Sequence, residues 1–68
     1  MKLITYQAIL SNPNNIARIQ AAKRAIEGMG GKLTIAPPNK AGMTLITLAL
    51  PEQYYPDQFF PGIPFYPI

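Results

Sequence analysis

Histidine and cysteine are missing from the chain, and serine occurs once, as Ser11 among turn formers. Nucleophilic triads are therefore excluded by inventory, and neither a disulfide nor a thiolate metal site can form. Acid is scarce too, since Glu27, Glu52 and Asp57 are the only carboxylates. Three carboxylates without an imidazole or thiolate make a poor transition-metal site. Only Glu52 and Asp57 are close enough in sequence for paired acid and base work, and both read as solvated turn residues. The expectation is a protein that is not an enzyme, with no catalytic residue, no cofactor and no metal. Long apolar runs are lacking as well, and nothing approaches the roughly 20 residues a membrane helix needs. Met1 and Lys2 before Leu3 to Leu10 imitate the opening of a signal peptide, but Thr5, Tyr6 and Gln7 interrupt the run. The SNPNN that follows offers no small-residue cleavage site. The segment reads as mature sequence of a soluble protein, with the cytoplasm the favoured compartment and no membrane partner.

What is present is a chain of 68 residues, enough for one domain that buries only about 60% of its unfolded surface. With no disulfide or metal available, tight packing or association with another chain has to supply the missing stability. Charge is divided along the sequence. Residues 1–50 hold all six bases, Lys2, Arg18, Lys23, Arg24, Lys32 and Lys40, against Glu27, while residues 51–68 hold Glu52 and Asp57 and no base. A body of +5 and a tail of −2 follow, suited to presenting different surfaces to different partners.

Hydrophobic periodicity places the elements. In KLITYQAIL, Ile4, Tyr6, Ala8 and Leu10 alternate onto one face, the period of a half-buried strand. SNPNN supplies turn formers and an amide cap at Asn14 or Asn15. Ile16, Ile19, Ala22, Ile26 and Met29 then recur at three and four residues, as on an amphipathic helix, which Gly28, Gly30 and Gly31 stop. GKLTIA reads as a second strand with Leu33 and Ile35 inward, PPNKAG as a break, and MTLITLAL as a third strand with Ile46, Leu48 and Leu50 on one face. Strand, helix, strand, strand suits an α+β, ferredoxin-like βαββ sandwich: an antiparallel hairpin beside a split crossover, one main helix on the sheet. Residues 1–50 form this core, and residues 51–68 are a proline- and aromatic-rich tail of the same domain.

The tail, PEQYYPDQFFPGIPFYPI, holds five of the eight prolines and six of the seven aromatic residues. Its approximate repeat, proline, acid, glutamine and two rings, puts Pro56 where a long helix would need a main-chain donor. Short turns opened by Pro51 and Pro56 remain allowed, and IPFYPI is restricted to an edge strand or an extended ribbon. Tyr54, Tyr55, Phe59, Phe60, Phe65 and Tyr66 cannot all hide in so small a core, because neighbouring rings in a turn or ribbon point different ways. Surplus exposed rings mark interfaces. The partner-binding candidates are these six with Pro67 and Ile68.

Two other signals are weaker. GMGGK imitates a phosphate loop, but the order here is helix, glycines, strand, the reverse of what such a loop requires. Six basic residues suit phosphate neutralisation, and the tail rings suit stacking on unpaired bases. They are segregated rather than interleaved, and a solvated helix face accounts for the charges, which argues against nucleic acid.

AAKRAIEGMGGKLTI and PGIPFYPI, set in this strand, helix, strand, strand frame, resemble the subtilisin propeptides and their stand-alone inhibitor relatives. That resemblance implies a ferredoxin-like fold whose sheet packs on the protease and whose C-terminal residues lie in the substrate cleft like a cleaved product. Ile68 would then enter the primary specificity pocket, with Pro67 and Tyr66 following and Phe65 in the pocket four residues back. The chain departs from the family at Pro56, which breaks the helix before the final strand, and at Pro64 and Pro67, which remove donors. A fainter likeness, through a GGK strand entry, is to the small linker polypeptides of phycobilisomes, although GGKL is central here. The functional expectation is a non-enzymatic protein-binding module acting as a protease inhibitor or intramolecular chaperone. The alternatives are a homo-oligomeric assembly or linker module whose aromatic tail packs on a neighbouring copy, and a basic nucleic-acid-binding protein.

Overall fold

A computed structural model describes residues 2–11 and 16–68 of the chain. Strand β1 (Leu3–Leu10) is followed by helix α1 (Ile16–Gly28), β2 (Lys32–Ile35), β3 (Thr44–Pro51), a 3₁₀ turn at Pro56–Gln58 and a two-residue strand β4 (Tyr66–Pro67). The proposed helix cap at Asn14 or Asn15 lies outside the described residues. The four strands form one antiparallel sheet in the order β2-β3-β1-β4. Since β1 and β2 both oppose β3, they run in the same direction on either side of it, with α1 crossing between them.

Alternation decides which side chains the sheet buries. Ile4, Tyr6, Ala8 and Leu10 pair with Leu50, Leu48, Ile46 and Thr44 of β3. Directly opposed residues share a face, so this set lines one side of the sheet with Leu33 and Ile35 of β2. On that side Tyr6, Ala8, Leu10, Leu33, Ile46, Leu48 and Leu50 form one buried cluster with Ile19 and Ile26 of α1. Ala22 and Met29 pack half-buried against it. Ile16, expected inward, is partly exposed and stands outside the cluster, because it opens the helix a full turn before the first deeply buried contact.

The helix stop is a Schellman motif. The Gly30 amide donates to the Glu27 carbonyl at 3.1 Å and the Gly31 amide to the Ile26 carbonyl at 2.9 Å, with Gly30 at φ +94°, the left-handed backbone that glycine adopts without penalty. Gly31 is needed for a different reason. A Cβ there would lie 2.6 Å from the Ala49 carbonyl oxygen and 2.9 Å from Cγ2 of Ile26, since the chain enters β2 pressed between the helix end and β3.

The hairpin from β2 to β3 closes with Ala36 donating to Leu45 and Asn39 to Met43. The Asn39 side chain accepts from the Ala41 and Met43 amides at 2.9 and 3.0 Å, a side-chain turn that replaces the ladder which Pro37 and Pro38 interrupt.

After Pro51 the chain returns beneath the sheet as a string of tight turns. The repeat seen in the sequence is also a repeat of structure: the Pro51 carbonyl accepts from the Tyr54 amide at 2.9 Å, and the Pro56 carbonyl from the Phe59 amide at 3.0 Å. Gln58 closes the second turn by accepting the Tyr55 amide through Oε1 at 2.7 Å. These turns carry Phe60 and Ile63 into the same buried cluster as the helix residues; Pro51 and Pro56 are buried as well, outside that cluster.

Gly31→Ala should destabilise the fold by about 1–3 kcal/mol, the usual cost of overpacking against backbone. Gly28→Ala, with open space around its Cα, should be neutral or slightly stabilising. Urea unfolding of both variants beside the parent checks the contrast.

Candidate docking surface

The eight tail residues expected to bind a partner fall into three groups. Phe60 is 1% exposed and belongs to the core, so its ring has no surface to offer. Tyr54, Phe59 and Phe65 are half-buried against that core. Tyr54 and Phe59, the first ring of each repeat, meet tilted at 60° with centroids 5.9 Å apart, and Phe65 lies 5.6 Å from Phe60. Tyr55 and Tyr66 are 64% and 68% exposed and Ile68 is 75% exposed, while Pro67 is exposed beside them. Tail packing thus uses four rings and leaves two in solvent.

Tyr66 and Ile68 are held where they are by β1. Gln7 pairs with Tyr66 and Tyr6 with Pro67, and the Ile68 amide donates to the Thr5 carbonyl at 2.9 Å. Tyr66 and Ile68 therefore share the face of Gln7 and Thr5, the face away from the core. Pairing stops on the other side of Tyr66 because the next residue able to face the β1 ladder is Pro64, which has no amide to donate. Where β4 leaves β1, a groove of about 350 Å³ opens, lined by Gln7, Ala8, Ile9, Pro64, Tyr66, Pro67 and Ile68.

The same register extends this surface across the sheet. Leu3, Thr5, Gln7 and Ile9 of β1 oppose Pro51, Ala49, Thr47 and Leu45 of β3, and Lys32 and Thr34 of β2 oppose Ala49 and Thr47. No helix among the described residues covers this side. Among the described residues seven large hydrophobic side chains are exposed, and five of them, Leu3, Ile9, Leu45, Tyr66 and Ile68, lie on this one face. Met43 and Tyr55 are the other two. Ile9 is 59% exposed, an uncommon setting for an isoleucine in a full-length strand. Along β1 and β3 the face is apolar at both ends, with Thr5, Gln7, Thr47 and the small Ala49 between, and Thr34 of β2 lies beside Thr47. Among the described residues Lys32, at the outer strand, is the only charged side chain on it.

The remaining charges lie elsewhere. Lys2 is exposed just before β1, Arg18, Lys23, Arg24 and Glu27 are exposed on α1, Lys40 is exposed in the hairpin loop, and Glu52 and Asp57 are exposed in the tail turns. No group of three or more potential metal ligands occurs among the described residues, and no helix among them is long and apolar enough to cross a membrane. Leu3, Ile9 and Leu45 were not among the sequence-based candidates. Their signal was nonetheless present: in LITYQAIL and TLITLAL, apolar residues occupy both parities, more than one buried face requires.

The chain matches no family model, no curated protein and no solved structure.

Phe60→Ala should cost about 3–5 kcal/mol, the range for removing a fully buried ring, whereas Tyr55→Ala should change stability by less than about 0.5 kcal/mol. Thermal or urea unfolding distinguishes the plugging ring from the solvated one.

Proposed function

We propose that the chain is a non-enzymatic protein-binding module of ferredoxin-like type that docks by the uncovered face of its sheet. The fold reading is supported by β1 and β2 running the same way on either side of β3, with β4 added outside β1. A second helix before the last strand is reduced here to the 3₁₀ turn at Pro56–Gln58, as the missing donor of Pro56 requires. The functional reading is carried by one observation, the gathering of Leu3, Ile9, Leu45, Tyr66 and Ile68 on a single sheet face. Scattered exposed hydrophobics need no explanation, but contiguous ones mark contact surfaces.

The concrete form is docking on a subtilisin-type protease, in the manner of the propeptides that the chain resembles. The sheet would lie on the enzyme, and Phe65 to Ile68 would enter the cleft as an extended strand. That use requires residues 66–68 to come away from β1, giving up the pairing of Gln7 with Tyr66 and the bond from Ile68 to Thr5. A two-residue strand is a small hold, and edge strands this short open at low cost. Docking of the tail rings on a neighbouring subunit, the alternative form, has only Tyr55 and Tyr66 to use, since the other four rings are engaged within the subunit.

Steady-state inhibition of a subtilisin-type protease tests this. The full chain should inhibit at micromolar concentration. Removal of Phe65 to Ile68 should weaken inhibition by roughly tenfold or more, as expected when anchor residues are lost, and Leu45→Lys should weaken it through the sheet alone. No inhibition by the intact chain removes the protease form, and inhibition indifferent to Leu45→Lys contradicts docking by the sheet.

A further inference from the structure

We infer that the uncovered sheet face takes a second copy of this chain, the two sheets stacked face to face about a two-fold axis. The inference rests on reading that face as the contact surface and assigns it, in the absence of a protease, to a second copy.

Charge selects the face. Two identical chains carry the same net charge, +3, so they approach most easily where neither presents any. On α1 the exposed Arg18, Lys23 and Arg24 outweigh Glu27, and stacking helix on helix would set like charges against each other. The sheet face carries only Lys32, on its outermost strand. Near a two-fold axis each residue meets its own copy, and the centre of this face is built from groups that tolerate that. Gln7 and Thr47, paired across β1 and β3, both donate and accept hydrogen bonds.

The ends of the face are also self-complementary. One end presents Leu3, the other Ile9 with Leu45, and between them edge strand β4 sets Ile68 level with Thr5 and Tyr66 level with Gln7. A two-fold axis across the strands lays Leu3 on Ile9, Ile68 on Tyr66 and Thr5 on Gln7, so that apolar meets apolar and polar meets polar. An axis along the strands would instead lay β4 on β2 and set Ile68 on Lys32.

Area sets the strength. Two strands of eight residues, one of four and one of two, at about 4.8 Å spacing and 3.3 Å rise, project roughly 350 Å². A pair would bury on the order of 700 Å², more with the relief of side chains, in the class of weak, transient contacts below the standard interface size. The dimer is accordingly weak, with dissociation in the micromolar range. It would give the chain a second covered face, the addition that a small single-sided core lacks.

Sedimentation velocity over about 1 µM to 1 mM, the span of weak complexes, tests the inference on the full chain. The wild type should move from monomer to dimer. Thr47→Arg, which sets two cations together at the centre, should weaken association by roughly tenfold or more, and so should Thr47→Glu; mixing the two variants should restore it. Circular dichroism establishes that each variant is folded. Should either not fold, methyl resonances of the wild type give the same answer, those of Leu3, Ile9 and Leu45 shifting on dilution while those of Leu33 stay fixed. A wild type that remains monomeric throughout overturns the second copy, and the sheet face still stands as a docking surface if Leu45→Lys abolishes protease inhibition. Association that Thr47→Arg leaves unchanged overturns the second copy on this face and leaves the docking reading to the Leu45→Lys inhibition test.

Discussion

The burial of Phe60 is the interaction on which the rest of the molecule depends. Helix α1 has 13 residues, about 20 Å of length and 10 Å of width, enough to cover roughly two strands. The sheet has four. With α1 alone, half of the inward face would be wet. Phe60 and Ile63, carried in on proline-opened turns, fill that half, and the rings of Tyr54, Phe59 and Phe65 close around them. Prolines make such a filling feasible because φ is fixed in advance and less chain entropy is lost on ordering.

This arrangement has a consequence on the other side of the sheet. Helix and tail are both committed to one face, and among the described residues no further element covers the second. Leu3, Ile9 and Leu45 stay in solvent there, and β4 adds Tyr66 and Ile68 beside them. Exposure of that kind costs solubility and gives no stability to the free subunit. The exposed apolar face and the core are in this sense set by the same shortage of covering elements.

Much of this was readable from the residues, for identifiable reasons. The spacings of Ile19, Ala22, Ile26 and Met29 and the alternation of Ile46, Leu48 and Leu50 announced the helix and β3, because each face has one environment. Gly30 and Gly31 marked the helix stop, although the pressure of Ala49 on Gly31 comes from β3 and has no local signal. Pro56 excluded a long final helix from sequence alone. Which ring of each pair turns inward was not legible: Tyr55 and Phe60 hold equivalent places in the repeat, yet one is solvated and the other buried. Only the position of each turn relative to the sheet distinguishes them. The pairing of β4 with β1 was equally hidden, since it joins residues about sixty apart through backbone groups. Among the docking candidates, Tyr66, Pro67 and Ile68 came from composition, but their neighbours Leu3, Ile9 and Leu45 had to wait for the register, which shows that the second apolar parity of β1 and β3 forms one surface.

The claim at the centre of this account is that residues 51–68 are structural cover for the sheet before they are anything else. Cutting the chain after Leu50 and following urea unfolding beside the intact protein tests it most directly. The shortened chain should lose its cooperative transition, because removing Phe60 and Ile63 strips half the inward face. A shortened chain that unfolds cooperatively with the midpoint of the intact one would contradict the account.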